Sequence, residues 1–261
     1  SNAPDVIAFP RQESDIIKLL EWADDANIAV IPFGCGSSVV GGIEPLVGHN
    51  FKATMSMDMR QMSKVLEIDP ISRAARIEAG VLGPSLEQQL KPSGFTFRHF
   101  PQSFEFSTLG GWIATRSGGH FATLHTHIDE LVESIRSISP SGQLESRRLP
   151  GSGAGPSPDR LLMGSEGSLG IITQSWVRLQ RKPRFRSSVT GRFNDLESAA
   201  NAIRAVAQAG LWPSNCRLVD AEETKLAGAG DGSFHLILLG FESSYQPVDH
   251  WMDKAIKCAE E

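Results

Sequence analysis

The sequence predicts an α+β protein of 261 residues in two parts. Apolar residues at helical spacing and short apolar runs typical of buried strands both recur along the chain. Glycine-rich turns lie at the ends of several predicted strands in the first part. After Gln180–Arg184 the pattern changes to strand, helix, strand, strand and helix. We therefore place one domain at residues 4–183 and the start of a second at residues 184–261.

The first part begins with a helix over Glu13–Ala23, whose apolar residues recur at helical spacing and whose N-cap is Ser14 or Asp15. The apolar run Ile28–Ile31 predicts a buried strand. Similar patterns predict a short helix over Leu82–Leu90. Further strands are predicted at Thr54–Met57, Val65–Ile68, Ala74–Ala79, Leu131–Ile138 and Ile171–Leu179.

The second part resembles the beginning of a ferredoxin-like sandwich, which needs further elements to cover its sheet. Its predicted elements are strands at Ser188–Phe193, Asn215–Asp220 and Phe234–Phe241 and helices at Asp195–Ala209 and Val248–Ala259. Because the chain stops inside the last helix, we expect a truncated product or an excised fragment. The Gly- and Pro-rich segment Leu149–Asp159 is interpreted as a surface loop rather than a linker.

Composition excludes several classes of protein. A net charge of −5 without a long basic block argues against nucleic acid or an anionic membrane surface as partner. No apolar run reaches the roughly 20 residues that span a bilayer. Three cysteines without a paired framework favour a reducing compartment, hence a cytoplasmic location. Ser1–Ala3 resembles a tag-cleavage scar, so the native start is unknown.

The loop after strand Ile28–Ile31 is the strongest candidate for a binding site. Glycines at 34, 36, 41 and 42 permit positive φ and bring backbone N–H groups close to an anion, while Ser37 and Ser38 add hydroxyl donors. A donor-rich loop without lysine suits a diphosphate. A sharp structural turn explains this stretch equally well when it is taken alone.

Three further segments, 101–112, 115–120 and 163–173, combine glycines with hydroxyl side chains. Each alone is better explained as a tight structural turn. Together with the glycine loop they predict a large flexible cofactor lying between two lobes. A Rossmann domain is excluded because no GxGxxG motif follows a strand and opens a helix, and the P-loop lysine is missing.

These motifs, in this order, resemble the FAD-binding domain of the vanillyl-alcohol oxidase / p-cresol methylhydroxylase (PCMH) superfamily over roughly residues 5–183. The stretch Glu105–Ile113 is most similar to the alkyldihydroxyacetonephosphate synthase (alkylglycerone-phosphate synthase) family. The resemblance implies a two-lobed PCMH-type FAD-binding domain followed by a partial ferredoxin-like cap domain that closes over the isoalloxazine.

By motif position, the resemblance assigns the FAD pyrophosphate to 33–39, the pyrophosphate and ribityl region to 102–108, the flavin ring to 115–118 and the adenine-side ribose to 166–172. The candidate cofactor-binding residues are Phe33, Gly34, Cys35, Gly36, Ser37, Ser38, Val39, Gln102, Ser103, Phe104, Glu105, Phe106, Ser107, Thr108, Gly111, Thr115, Arg116, Ser117, Gly118, Glu166, Gly167, Ser168, Leu169, Gly170, Ile171 and Ile172.

Two departures from the family pattern concern the glycine loop, where Cys35 replaces a glycine and Ser37 replaces a threonine but keeps the hydroxyl. Ser37 stands where related oxidases carry a tethering histidine, so we expect non-covalent FAD. Cys35 is acceptable at its position only if its φ is not strongly positive. We interpret Cys35 as a packing residue rather than a reactive thiol.

No metal site is expected, since the histidines at 120, 125 and 127 form only a weak ligand pattern without a fourth ligand. Trp112 is interpreted as a core residue that could also cover part of the flavin pocket. The catalytic residues are unknown and are expected beyond Glu261, because in both related families they lie in the cap and after it.

The resemblance leaves three functions open. The first is the flavin portion of a bacterial-type flavoenzyme that exchanges an acyl group for a fatty alcohol on dihydroxyacetone phosphate. The second is an FAD-dependent 2-hydroxyacid dehydrogenase or oxidase of the glycolate oxidase and D-lactate dehydrogenase type. The third is a catalytically silent flavin-binding fragment, and we expect this chain alone to be inactive. A small-molecule substrate and a homodimer are the expected partners.

Overall fold

The computed structural model describes residues 2–149, 153 and 155–260 of the chain. The chain divides into two compact units, one formed by Ser1–Gly119 with His127–Gln180 and the other by His120–Thr126 with Arg181–Glu261. Both units mix helices and strands, which confirms the predicted α+β class. In the predicted surface loop Leu149–Asp159, residues 150–152 and 154 lie outside the described residues.

The first unit holds two main sheets and their connecting helices. Its strands are β1 (Val6–Ala8), β2 (Ile28–Phe33), β3 (Ala53–Asp58), β4 (Val65–Asp69), β5 (Ala74–Glu78), β6 (Phe95–Thr96), β7 (Val132–Ser139), β8 (Gly142–Glu145), β9 (Ile171–Arg178) and β10 (Gln180–Arg181). Its helices are α1 (Glu13–Ala26), α2 (Gly83–Leu90), α3 (Leu109–Thr115), α5 (Ile128–Leu131) and α6 (Pro158–Leu162).

The smaller sheet is parallel, with the strand order β1–β3–β2. Helix α1 makes the crossover from β1 to β2 and buries Ile16 and Ala23 in a core shared with Met55 and Met57 of β3. Phe33, the last residue of β2, pairs with Asp58, the last residue of β3. The glycine loop therefore leaves the sheet at its carboxyl edge, where ligands of parallel sheets usually bind.

The larger sheet is antiparallel, with the order β4–β5–β9–β7–β8. The predicted hairpin joins β4 to β5, and Asp69 Oδ1 accepts hydrogen bonds from the backbone N–H groups of Ile71 and Ser72 at 3.0 Å each. The main core of the unit lies beside this sheet and includes Leu86 of α2 and Trp112 and Ile113 of α3. Helix α3 thus includes Gly110 and Gly111, in a segment for which the sequence predicts only a glycine-rich motif.

The second unit is arranged like a ferredoxin-like fold over its first strands and helices. Its elements are α4 (Ala122–His125), β11 (Phe185–Phe193), α7 (Leu196–Gln208), β12 (Asn215–Val219), α8 (Ala221–Leu226), β13 (His235–Ser243) and α9 (Asp249–Glu260). Strand β13 lies between β11 and β12 and is antiparallel to both, as in a split β-α-β unit. Helices α7 and α9 cover a shared core with β13. His125 Nε2 of α4 lies 3.1 Å from the buried Glu242 Oε1 of β13.

The predicted N-cap of the first helix is wrong. Gln12 is the N-cap, and Asp15 lies in the first turn, where its Oδ2 accepts hydrogen bonds from the N–H groups of Arg11 and Gln12 at 2.9 and 3.2 Å. The carboxylate thus caps the helix from the third helical position, as in a capping box. Strand β1 and helices α4, α5, α6 and α8 are also absent from the sequence predictions, because each is short.

A partly buried hydrogen-bond network joins α1 to the larger sheet. Glu13 accepts hydrogen bonds from Arg136 Nη2 at 2.7 Å and from Thr173 Oγ1 at 2.6 Å. Thr173 is fully buried, whereas Arg136 also pairs with Glu145 at the sheet edge. The Glu13 carboxylate therefore links helix α1, which packs on the parallel sheet, to β7 and β9 of the antiparallel sheet.

We predict that Glu13→Ala lowers the free energy of unfolding by about 2 kcal/mol, because it leaves the buried Thr173 hydroxyl and Arg136 with poorer partners. Glu145→Ala removes the other carboxylate that pairs with Arg136. Because the Glu145 side chain is 51% exposed, we expect this variant to lose only about 0.5 kcal/mol of unfolding free energy. Urea unfolding of both variants measures the difference. Equal losses would show that Glu13 does not link the lobes.

One histidine lies in the core of the first unit. His99 is 2% exposed and contacts Trp112 with ring centroids 5.3 Å apart. Burial, with a smaller contribution from His127, lowers the pKa of His99 from 6.5 to about 4. The folded protein therefore holds this imidazole neutral at physiological pH.

This shift predicts a pH dependence of folding stability. His99 binds a proton in the unfolded chain near pH 6.5 but in the folded chain only near pH 4, so its stabilisation is present above pH 6.5 and is lost as the pH falls towards 4. The loss is roughly 3 kcal/mol. His99→Gln should flatten the profile of unfolding free energy over this range, and His49→Gln, at an exposed position, should not. Superimposable profiles for wild type and His99→Gln would contradict the assignment.

Candidate functional site

A cavity of about 390 Å³ lies in the first unit where the carboxyl end of β2 meets α3 and the turn before β9. Two lobes contribute its walls: the glycine loop of the parallel sheet, and segments attached to the antiparallel sheet. From the predicted set it is lined by Phe33, Gly34, Cys35, Gly36, Ser37, Ser38, Val39, Ser103, Ser107, Thr108, Gly111, Thr115, Ser117, Glu166, Gly167, Gly170, Ile171 and Ile172.

The glycine loop presents backbone donors to this cavity. Gly36 has a φ of +68°, the left-handed conformation that also occurs in anion-binding nests. Within the described part of the chain, no acceptor binds the N–H groups of Cys35, Gly36, Ser37 or Ser38. The described lining residues include no lysine or arginine. An anion in this cavity would therefore be held by backbone N–H groups and hydroxyls.

Close backbone approaches shape the cavity wall. A Cβ built on Gly34 would lie 2.5 Å from Thr108 Oγ1, so a side chain at 34 would collide with the N-cap of α3. Thr108 Oγ1 accepts a hydrogen bond from the N–H of Gly111 at 3.2 Å. Gly110 donates its N–H to the Ala79 carbonyl at 2.7 Å, and its own Cβ would lie 2.8 Å from Ala79 Cβ. The glycines at 34 and 110 therefore allow the ends of β2 and β5 to approach α3 closely at the cavity wall.

Trp112 serves both the core and the cavity. It lines the cavity, is 2% exposed and stacks on Phe97 and Phe104 with centroids 6.1 Å away in each case. Its indole Nε1–H donates to Ser107 Oγ at 2.6 Å. The prediction of a core tryptophan beside the pocket is confirmed, and its indole fixes the position of the Ser107 hydroxyl.

Glu166 brings the one carboxylate among the described lining residues. It has a φ of +54° and donates its N–H to the Ala114 carbonyl at 3.0 Å. Its Oε2 lies 3.7 Å from the position of a Cβ on Gly42, at the far end of the glycine loop. A carboxylate accepts hydrogen bonds only, so it suits a ligand with hydroxyl groups.

Cys35 is tolerated in the loop because its φ is not positive. The thiol lines the cavity and interacts with Arg60, whose guanidinium is bound to the buried Asp58. Burial raises the pKa of the Cys35 thiol, since the charged form loses hydration. The thiol is therefore neutral at physiological pH, as a packing residue would be.

Several predicted residues do not line the cavity. Phe104 packs on Trp112, Arg116 ends α3 with a φ of +50° and pairs with Asp129 at 2.8 Å, and Gly118 lies against His127. The others stand at exposed or neighbouring positions of the same motifs: Gln102, Glu105, Phe106, Ser168 and Leu169. The motif positions thus coincide with the wall, but eight of the predicted residues do not line it.

Other lining residues are absent from the predicted set: Pro32, Val40, Ile43, Met59, Ala79, Gly110, Trp112 and Ala114. Val40 and Ile43 continue the glycine loop and could have been included by extending it. Met59 and Ala79 directly follow β3 and β5, and no local motif marks them. In the ranges 2–149, 153 and 155–260, no three His, Cys, Asp or Glu side chains are grouped as a metal site would need, and no helix is long and apolar enough to cross a membrane.

Comparison with known proteins shows similarity over both units. Residues 4–146 match the family described as FAD binding domain, and residues 182–258 match that described as FAD linked oxidases, C-terminal domain. The chain is 40% identical to alkyldihydroxyacetonephosphate synthase of Dictyostelium discoideum over 87% of this chain and 37% of the relative. It is 24% identical to glycolate oxidase subunit GlcD of Bacillus subtilis over 96% of this chain and 54% of the relative.

A solved structure of an alkyldihydroxyacetonephosphate synthase matches with a TM-score of 0.90 and 34% identity, covering 100% of this chain and 51% of that one. The chain thus spans about half of that structure and 37% of the Dictyostelium relative. The similarity confirms the PCMH-type fold and the resemblance drawn from the motifs. The chain therefore belongs to the FAD binding domain family, and its cofactor is FAD.

Proposed function

We propose that this chain is the flavin-binding portion of an enzyme of the alkyldihydroxyacetonephosphate synthase type. The observation that supports the FAD site most directly is the run of four loop N–H groups, from Cys35 to Ser38, that no described residue accepts. These four residues line a cavity whose described lining contains no lysine or arginine, which suits a diphosphate held by backbone donors. The glycine at 34 and the positive φ of Gly36 allow a close approach of the loop backbone to such a group.

The remaining wall residues suit the other parts of FAD. Glu166 offers a carboxylate for ribose hydroxyls, and Thr115 and Ser117 offer hydroxyls on the side that the family resemblance assigns to the flavin ring. Trp112 and Ile172 exclude water from one side of the cavity. Bound FAD would supply redox or covalent chemistry that protein side chains lack, while this chain binds and orients it.

The substrate assignment rests on the relatives. Identity is 40% to the Dictyostelium synthase and 33% to that of Trypanosoma brucei brucei, against 24% for GlcD. We therefore favour exchange of an acyl group for a fatty alcohol on dihydroxyacetone phosphate over oxidation of a 2-hydroxyacid. We propose that the residues that contact substrate lie outside residues 1–261.

Two assays separate the candidate functions. FAD-loaded protein is incubated with acyl-dihydroxyacetone phosphate and a labelled fatty alcohol, and separately with 2-hydroxyacids and a dye acceptor. Exchange without dye reduction supports the synthase type, and dye reduction supports the oxidase type. For this chain alone we expect FAD to be retained with neither fatty-alcohol exchange nor dye reduction. That result would identify a flavin-binding portion that needs further residues for catalysis.

We predict that Gly36→Val abolishes FAD retention. A Cβ at 36 would lie 2.8 Å from Ile43 Cδ1, and the φ of +68° disfavours a β-branched residue. Gly48→Val is the matched control, since Gly48 has a φ of +70° but no atom within 4 Å of its Cβ position and does not line the cavity. Flavin absorbance after desalting measures retention, and circular dichroism checks folding. Unchanged flavin content in folded Gly36→Val would overturn the pyrophosphate assignment.

We predict that FAD is bound without a covalent link, because Ser37 has no nucleophilic ring nitrogen to form one. Acid precipitation should leave all flavin absorbance in the supernatant. Flavin fluorescence that migrates with the denatured polypeptide on a gel would disprove non-covalent binding.

A cytoplasmic location and a homodimer complete the proposal. The three free cysteines, Cys35, Cys216 and Cys258, are consistent with a reducing compartment. Light scattering of the FAD-loaded protein measures the oligomeric state directly.

A further inference from the structure

His99 lies behind the cavity wall and is paired with Ser117, and of these two residues the proposed function uses only the serine. Ser117 lines the cavity, and its Oγ lies 2.9 Å from Nε2 of His99. His99 does not line the cavity but lies behind Ser117, packed against Phe97 and Trp112 with centroids 5.8 and 5.3 Å away. The imidazole therefore reaches the cavity only through the serine hydroxyl.

The backbone holds Ser117 in place independently of this bond. Arg116 takes the left-handed conformation that ends α3, with a φ of +50°, and the N–H of Ser117 donates to the Trp112 carbonyl at 3.0 Å. What the backbone does not fix is the direction of the hydroxyl hydrogen. A hydroxyl can rotate to donate or accept, so its direction depends on the partner behind it.

His99 supplies a partner of constant charge. Burial keeps the pKa of its imidazole near 4, and the side chain that adds to this shift is His127. A neutral imidazole can present N–H or a lone pair at Nε2, according to its tautomer. The ring is also tightly packed on its other side. The backbone at Gly119 comes so close that a Cβ added there would lie 3.1 Å from Nδ1 of His99.

We propose that His99 is a positioning residue which, through Ser117, directs one hydrogen bond to the isoalloxazine end of bound FAD. This inference rests on the proposed function, since it requires FAD in the cavity with its ring near 115–118. The isoalloxazine carries both donor and acceptor atoms along its edge, and a hydroxyl backed by a neutral imidazole can serve either. A hydrogen bond to the ring also changes its absorption spectrum and redox potential, so the contact can be observed without turnover.

A double-mutant cycle tests the inference. Ser117→Ala should weaken FAD binding about tenfold, the loss expected for one buried hydrogen bond, and should shift the flavin absorption maximum and midpoint potential. His99→Leu should have the same effects. In the Ser117→Ala background, His99→Leu should add no further change in Kd, because it acts only through that hydroxyl. His99→Gln, whose amide can replace Nε2, should restore the spectrum and most of the affinity.

His49→Leu is the matched control, because His49 is exposed and does not line the cavity. If Ser117→Ala leaves the Kd, spectrum and potential of bound FAD unchanged, the inference is wrong even if His99→Leu fails to fold. Additive losses in the double variant would assign His99 a purely structural role and also overturn the inference. Failure of the wild-type protein to bind FAD is a different result, which overturns the proposed function and this inference with it.

Discussion

The cavity depends on one contact, the packing of α1 against the antiparallel sheet. Ile16 of α1 and the β3 methionines share a buried core with Ile138 of β7 and Ile171 of β9, and the Glu13 carboxylate adds charged hydrogen bonds to Arg136 and Thr173. Neither sheet alone encloses a site, since the glycine loop comes from one and the Glu166–Ile172 turn from the other. Fixing the two sheets against each other therefore fixes the distance between the loop that suits a diphosphate and the carboxylate that suits a ribose.

Within that frame, some glycines are required because another main chain comes close, and others, such as Gly36, because the chain turns with a positive φ. Gly80 shows the first case best: a Cβ there would lie 1.9 Å from the Met59 carbonyl oxygen, which no rotamer change can relieve. At Gly34 the nearest atom is the side-chain Oγ1 of Thr108, at 2.5 Å, and at Gly110 the nearest atoms are Cβ and the carbonyl oxygen of Ala79, at 2.8 and 3.0 Å. By contrast, Gly48 has a positive φ and free space around it, as an ordinary turn residue does. The two kinds of glycine look alike in sequence but differ in what a substitution would disturb.

Much of this arrangement could be predicted from the sequence because its signals are local. The alternation of β4 and β5, the amphipathic spacing of α7 and the strand-to-loop transition after β2 each reflect residues close together in the chain, and the structure has these elements within a few residues of the predicted bounds. The split β-α-β order of the second unit likewise follows from element order alone. Motif positions also lie at the cavity wall, because the resemblance was drawn from the order of several motifs together rather than from any single glycine-rich turn.

What could not be predicted depends on partners far apart in the chain. Met59 and Ala79 reach the cavity only because two strand ends converge there, and neither residue type suggests binding. His125 belongs by sequence to the first domain, yet it lies in the second unit beside Glu242, 117 positions away. His99 shows the same limit most clearly. Its local sequence is an unremarkable Phe-Arg-His-Phe, and only the fold places its ring against Trp112 and behind Ser117, where burial removes its charge. A titratable group acquires such a role from its surroundings, and those surroundings are assembled by the long-range packing of α3 against the sheet.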